Sequence, residues 1–116
     1  MNWYNYRYRR QIGRSSAYEE VWTDHVALVS YQTRVLEWYP ETGDLVVGPL
    51  WDCSETTRRH VSRWLASHGI RWTCSDLRYF SRFPEACPWD VVFADAGDDR
   101  FLYNEALPFV PVGQAS

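Results

Sequence analysis

Residues 54–68 have the apolar spacing of an amphipathic helix, and the segments around them have the composition of strands. The predicted apolar stripe of this helix consists of Thr57, Val61, Trp64, Leu65 and His68. Either Asp52 or Ser54 can cap its start, and Gly69 stands where a helix-ending glycine belongs. Such a helix is stable only when its stripe packs against a partner, so the fold must supply a sheet that covers it.

The clearest strand signals are two runs rich in β-branched and aromatic residues, at 26–31 and 33–39. Residues 40–43 have turn chemistry, which predicts a β-hairpin over 33–47. A second hairpin is expected from residues 91–95 and 101–104. The predicted fold class is therefore α+β: a mainly antiparallel sheet of two β-hairpins packed on one main helix, about 54–68, with one or two short helices.

The N-terminal segment allows two interpretations. Residues 3–9 alternate so that three tyrosines would share one face of a strand: Tyr4, Tyr6 and Tyr8. The alternative is a mobile basic arm over residues 1–14. Just after it, Ser16 and Glu19 have the spacing of a capping box, which predicts a short helix over 17–22.

The segments after the main helix carry weaker signals. Residues 70–73 are expected to form a short strand. Ser75 is a candidate cap for a helix over 76–83 that Pro84 would end. The prolines of the tail, Pro108 and Pro111, suit an edge or extended segment. The whole chain, 1–116, is expected to form a single domain.

All twelve basic residues are Arg, which excludes a Walker-A lysine and a Schiff-base lysine. The charges form blocks. Residues 1–14 carry four Arg and no acid, residues 15–57 eight acids and one Arg, residues 58–82 six Arg and one Asp, and residues 83–116 six acids and one Arg. These blocks either pair with one another in the fold, which is the default interpretation, or present separate basic and acidic faces.

The three cysteines have no metal-ligand spacing and an odd count, so free thiols are expected, with no metal and no cofactor. The charged N-terminus lacks the pattern of a signal peptide, and no apolar run approaches the roughly 20 residues of a spanning helix. The expected location is the cytoplasm, without membrane contact.

The chain contains seven Trp, eight Tyr and five Phe, more than one small core needs, so several should lie on the surface as contact residues. Arginines and aromatics interleave after residue 57, and the candidate binding residues are Arg58, Arg59, Arg63, Trp72 and Arg78. The pattern is typical of a protein interface and also of single-stranded nucleic-acid binding. The simplest alternative is a solvated helix face neutralised by the acidic segments.

Thr57 and His60 lie three residues apart on the predicted helix and are the candidates for a catalytic pair in a small hydrolase or transferase. The alternative is structural, because hydroxyls in a first helical turn satisfy free backbone groups and an imidazole at the edge of an apolar stripe commonly packs there.

Two short motifs, Ser30-Tyr31-Gln32-Thr33 and Ser54-Glu55-Thr56-Thr57-Arg58-Arg59-His60, resemble a family of small uncharacterised proteins common in phages and in prokaryotic genomes with mobile elements. The matching positions are Ser30, Tyr31, Thr33, Ser54, Thr56, Thr57 and His60. The likeness covers residues 26–68. It implies a phage or prophage origin, no established activity, and hydroxyls and an imidazole placed together by strand–helix packing.

The expected function is therefore a non-enzymatic phage or mobile-element accessory protein that binds another macromolecule. It would act as an inhibitor of a host defence or regulatory complex, for instance in an anti-CRISPR-like role. Single-stranded nucleic-acid binding and a hydrolase using Thr57 and His60 are the alternatives. An aromatic surface also makes a homodimer credible.

Overall fold

The computed structural model describes residues 5–101, which form one six-stranded sheet and two helices. The strands follow one another in the sheet in chain order: β1 (Tyr6–Gln11), β2 (Ala17–Trp22), β3 (Val26–Ser30), β4 (Thr33–Tyr39), β5 (Asp44–Val47) and β6 (Val91–Phe93). The helices, α1 (Glu55–Ser67) and α2 (Cys74–Arg82), lie between β5 and β6 in the chain. Strands β1 to β5 are antiparallel neighbours, and β6 joins β5 in parallel. The α+β class with a mainly antiparallel sheet is confirmed.

The predicted main helix is confirmed in detail. Ser54, and not Asp52, caps α1, because the Oγ of Ser54 accepts a 3.1 Å hydrogen bond from the backbone N–H of Thr57. Gly69 has a φ of +66°, a conformation that glycine adopts without strain at a helix end. Five side chains of α1 are buried: Thr57, His60, Val61, Trp64 and Leu65. His60 therefore lies within the buried stripe, and His68 is only half-buried at its end.

The helix packs on one face of the sheet, where the side chains of Leu28, Leu36 and Leu45 are fully buried in a shared core with Val61 and Leu65. This packing positions the polar residues of β2 and β3 against α1. Neither α1 nor α2, the two α-helices within residues 5–101, is long and apolar enough to cross a membrane.

The hairpin predicted over 33–47 is confirmed as β4 and β5, with Leu36 opposite Val47. At the turn, Gly43 has a φ of +78° and its N–H donates a 2.8 Å hydrogen bond to the carbonyl of Tyr39. The turn chemistry of the sequence was therefore a sufficient guide to this element.

The helix predicted over 17–22 is wrong, because these residues form strand β2. The segment pairs on one side with β1 and on the other with β3, which satisfies its backbone groups in a way that a six-residue helix could not. Because no helix begins here, Ser16 caps none, and the backbone N–H of Ala17 donates a hydrogen bond to the Oγ of Ser15. Tertiary pairing has overridden a local capping signal.

At the N-terminus the strand interpretation describes residues 6–11, which form β1. A register irregularity between Tyr6 and Tyr8 separates the two side chains that a regular strand would place on one face. The ring of Tyr6 packs edge-on against Trp22, whereas Tyr8 is half exposed. Tyr4 lies outside the described residues.

The short strand predicted over 70–73 is wrong. These residues connect two helices, and none of them pairs with a strand of the described sheet. Thr73 forms a capping box with Asp76, so α2 begins at Cys74, and Ser75 lies inside the helix instead of capping it. Pro84 follows the end of α2 as expected.

The described part of the second expected hairpin differs from the prediction. Val91–Phe93 is a strand, but it pairs with β5 in parallel, because the two-helix crossover returns the chain in the same direction. Asp99–Phe101 is a 3-10 turn whose Phe101 is buried. Residues 102–104 and the tail prolines Pro108 and Pro111 lie outside the described residues.

Candidate functional site

The predicted basic face of α1 is partly neutralised. Arg58 donates a 3.0 Å hydrogen bond to the carboxylate of Asp52, and Arg59 lies 3.4 Å from the carboxylate of Glu55. Arg63 forms no ion pair with any residue in the range 5–101. On α1, therefore, the charge blocks pair as the default interpretation predicts, except at Arg63.

The other two candidate binding residues, Trp72 and Arg78, differ in exposure. Trp72 is half-buried, with its ring edge-on to Phe80 and the guanidinium of Arg71 4.2 Å above it. Arg78 is exposed on α2. The predicted set is thus divided among two paired arginines and the unpaired Arg63 on α1, a packing residue between the helices, and one unpaired arginine on α2.

Ser30, Thr57 and His60 converge where β3 meets α1. The Oγ of Ser30 lies 3.1 Å from the Oγ1 of Thr57 and 2.9 Å from the Nδ1 of His60. The hydroxyl of Ser54 donates a 3.0 Å hydrogen bond to the same Oγ1 of Thr57, and the thiol of Cys53 approaches it at 3.6 Å. Four of the motif residues therefore form one hydrogen-bonded cluster.

Three members of this cluster are buried, since Ser30 and Thr57 are 2% exposed and His60 is 6% exposed, whereas Ser54 is exposed. Burial, together with the positive charges of Arg63 and Arg59, holds the pKa of His60 below its ordinary value of 6.5. No carboxylate in residues 5–101 forms a hydrogen bond with His60. The arrangement satisfies buried polar groups at a strand–helix contact, and its two buried hydroxyls are poorly placed to reach a substrate.

The remaining motif residues lie around this cluster. Tyr31 occupies the turn between β3 and β4 with a φ of +59°, an unusual conformation for a bulky side chain. Its half-exposed ring lies 6.0 Å from the imidazole of His60. Thr33 begins β4, and Thr56 is half-buried in the first turn of α1.

A surface that the sequence analysis did not single out lies on α2 and β6. Four large apolar side chains are between 44% and 84% exposed there: Tyr79, Phe83, Trp89 and Val92. We call these residues the α2–β6 surface. The rings of Tyr79 and Phe83 lie 5.0 Å apart, one helical turn from each other. The signal was present in the sequence, because Leu77 and Phe80 form the buried side of α2 and place Tyr79 and Phe83 away from the core.

An apolar groove of about 420 Å³ runs between α2 and β6. Its walls include Phe80, Pro84, Val91, Val92 and Phe93, so it joins the α2–β6 surface at Val92. On the same helix, Arg78 and Arg82 are exposed and have no ion-pair partner within residues 5–101. Helix α2 thus carries exposed aromatic side chains and free positive charge.

Within residues 5–101, no three side chains of His, Cys, Asp or Glu come together in a way that could hold a metal ion. Cys53, Cys74 and Cys87 are free thiols. Comparison with family models, curated proteins and solved structures found no match to this chain.

Proposed function

We propose that this protein is a non-enzymatic accessory protein that acts by docking onto a partner protein through the α2–β6 surface. The observation that carries the proposal is the exposure of Tyr79, Phe83 and Trp89 within a short stretch of chain. Aromatic side chains of this kind dominate the energetics of protein interfaces, and burying one contributes roughly 1.5–3 kcal/mol.

The groove between α2 and β6 supports the same proposal. A cavity of about 420 Å³ lined by Phe80, Val91 and Phe93 has room for one or two apolar side chains of a partner. An anchor side chain in a pocket, surrounded by exposed aromatics, is the usual composition of an interface centre.

The free positive charge on α2 indicates the kind of partner that would bind. Arg78 and Arg82 lie one helical turn apart, and each directly precedes one of the exposed aromatic residues Tyr79 and Phe83. Since neither arginine is paired within residues 5–101, a partner with carboxylates around an apolar centre is complementary to this surface.

The resemblance to small phage and mobile-element proteins supports a more specific form of the proposal. The partner is then a host defence or regulatory complex in the cytoplasm, and the protein inhibits it by occupying an acidic, partly apolar surface. This form depends on the two short motifs, whereas the docking surface depends on the exposed residues of α2 and β6.

The test is binding to host-cell proteins by three versions of the chain: wild type, Tyr79→Ser/Trp89→Ser and Tyr8→Ser. Tyr8 is half exposed on β1, so Tyr8→Ser is a matched control for the loss of a surface aromatic. The proposal expects a partner that binds wild type and Tyr8→Ser equally and binds the double variant at least 100-fold more weakly, by calorimetry with the purified partner. Equal binding by all three versions rejects the α2–β6 surface.

Two other occupants are distinguished by direct measurements. Sedimentation of wild type alone detects a homodimer, and a dimer that the double variant dissociates would make a second copy the occupant. A fluorescent single-stranded DNA oligomer across a salt series, with Arg59→Ala/Arg63→Ala as the variant, tests nucleic-acid binding. Tight, salt-sensitive binding that this variant abolishes would replace the protein-docking proposal.

A further inference from the structure

A cavity of about 480 Å³ lies between the turn that joins β1 to β2 and helix α1, at the edge of the buried stripe of the helix. This volume lies within the range of small-molecule sites. Its apolar wall includes Ile12 and Trp64, and its polar wall includes Arg14, Ser15, His60 and Arg63. The cavity is separate from the α2–β6 surface, since no residue lines both.

Two arginines from different elements line this cavity without a counter-ion. Arg14, in the β1–β2 turn, and Arg63, on α1, are both exposed. Neither forms a hydrogen bond or an ion pair with any residue in the range 5–101. Neighbouring arginines such as Arg10 and Arg59 are paired with acids. Two guanidinium groups at one cavity repel each other, and an anion between them converts that repulsion into two charge-assisted hydrogen bonds.

A chain of hydroxyl groups leads to His60 and favours one position for the hydrogen of its neutral ring. The Oγ1 of Thr57 accepts hydrogen bonds from Ser54 and Cys53, so its own hydrogen is available to the Oγ of Ser30, at 3.1 Å. Ser30 can then donate its hydrogen to the Nδ1 of His60, at 2.9 Å. With Nδ1 as acceptor, the neutral imidazole carries its hydrogen on Nε2.

The Nε2 atom of His60 makes no hydrogen bond within residues 5–101, and His60 is one of the residues that line the cavity. The relay through Ser54, Thr57 and Ser30 therefore prepares an N–H donor beside the two free arginines. The cluster then does more than satisfy its own polar groups, because it also orients the Nε2–H group of His60.

We propose that this cavity binds a small organic anion, with its carboxylate or phosphate group held by Arg14, Arg63 and the Nε2–H of His60. The body of the ligand packs against Ile12 and Trp64. Carboxylate and phosphate offer the same acceptor oxygens to these donors, so the probes below separate them.

The test is titration of the full chain with phenyl phosphate, benzoate and inorganic phosphate, followed by calorimetry and by NMR of the backbone amides. Phenyl phosphate or benzoate is expected to bind with a dissociation constant of about 1 mM or tighter, and inorganic phosphate roughly tenfold more weakly because it lacks an apolar body. The stronger of the first two identifies the anionic group. No binding by either overturns the proposal.

Arg14→Gln and Arg63→Gln should each weaken binding at least tenfold. Arg78→Gln is the matched control, because it removes one exposed, unpaired arginine outside the cavity; it should change the affinity less than twofold. Equal weakening by all three variants would show a net-charge effect only and would overturn the proposal.

Long-range ¹H–¹⁵N spectra of the histidine rings test the relay directly. His60 should have its hydrogen on Nε2 in the free protein, and that nitrogen should shift when phenyl phosphate or benzoate binds. A hydrogen on Nδ1 removes His60 from the donor set. Binding of a single-stranded oligomer without binding of either small probe would assign the arginines to nucleic acid instead. The Tyr79→Ser/Trp89→Ser variant should bind the small probe normally, which keeps this proposal distinguishable from protein docking.

Discussion

The indole Nε1 of Trp64 donates a 2.9 Å hydrogen bond to a carboxylate oxygen of Glu19, which lies 45 positions earlier in the chain. The same carboxylate accepts hydrogen bonds from His68 and from Arg10. Glu19 therefore connects β1, β2 and both ends of the last turn of α1 through one buried side chain. Burial raises the pKa of Glu19, but hydrogen bonds from His68, Trp64 and Arg10 outweigh it, so the pKa lies below its ordinary value of 4.5.

Replacing this carboxylate should be strongly destabilising. Glu19→Gln keeps one carbonyl oxygen that can accept from Trp64 and His68, but it removes the negative charge and puts an NH₂ group, which cannot accept, opposite Arg10. We expect a loss of about 3 kcal/mol in the free energy of unfolding at pH 7. Urea unfolding followed by circular dichroism measures it. Glu41→Gln, at an exposed turn position, is the control and should change stability by less than about 0.5 kcal/mol. A loss below about 1 kcal/mol for Glu19→Gln would contradict the central role of this side chain.

The depressed pKa of His60 predicts how stability changes with pH. Burial, followed by the charges of Arg63 and Arg59, makes the folded protein resist a proton that the unfolded chain accepts near pH 6.5. The unfolded state therefore binds more protons below that pH, and the free energy of unfolding should fall as the pH drops from 7 through 6.5 toward the folded pKa.

Between pH 7 and 5.5, the free energy of unfolding should change less with pH in His60→Gln than in wild type. Arg63→Gln should raise the pKa of His60, read by NMR titration, because it removes a neighbouring positive charge. Arg78→Gln should leave that pKa unchanged. A pKa of His60 at or above 6.5 in the folded protein would contradict this prediction.

The elements that the sequence predicted well are those whose boundaries depend on local chemistry. Helix α1 follows from its apolar spacing, from Ser54 and from Gly69, and the β4–β5 hairpin follows from its turn. Strand β2 could not be predicted in this way, because what makes residues 17–22 extended is the pairing with β1 and β3. The local capping signal at Glu19 was misleading, since that carboxylate contacts α1 instead.

The same limit applies to the candidate site. The convergence of Ser30, Thr57 and His60 was anticipated from the motifs, but which arginines remain unpaired depends on three-dimensional neighbours. Arg58 and Arg59 find acids nearby, and Arg63 does not. The sequence could have indicated the pair of Arg59 with Glu55, which lie four residues apart on the helix, and the lack of an acid at that spacing from Arg63. The contact of Arg58 with Asp52 depends on how the chain enters α1.

A second buried charge cluster surrounds Arg34, whose side chain is 1% exposed. Its guanidinium donates to Glu20 at 2.7 Å and to Glu37 at 2.6 Å. Arg34→Met should lower stability by about 3–5 kcal/mol, because it removes the cation that pairs with the buried carboxylate of Glu20 and one of the two cations that pair with Glu37, the other being Arg100. Chemical denaturation at pH 7 measures the change.

The triple variant Glu20→Gln/Arg34→Met/Glu37→Gln removes all three charges together and should recover much of that loss. Arg78→Met, which removes an exposed and unpaired arginine, serves as the control. If the single Arg34→Met variant were as stable as the triple variant, the carboxylates would have another source of compensation.

The close approach of Gly48 and Phe101 connects the end of β5 to the 3-10 turn near residue 100. A Cβ atom on Gly48 would lie 2.8 Å from the Cγ of the fully buried Phe101, so Gly48→Ala should cost about 1–3 kcal/mol by forcing that ring to move. Phe101→Ala alone should cost about 3–5 kcal/mol through the cavity it leaves.

A double-mutant cycle tests whether the two positions are in contact. In the Phe101→Ala background the added methyl group has space, so Gly48→Ala should be nearly neutral there. The coupling energy should then exceed about 1 kcal/mol. Gly97→Ala, where a Cβ would meet no atom within 4 Å, controls for the loss of a glycine. Additive effects of the two substitutions would mean that Phe101 does not pack on Gly48 in solution.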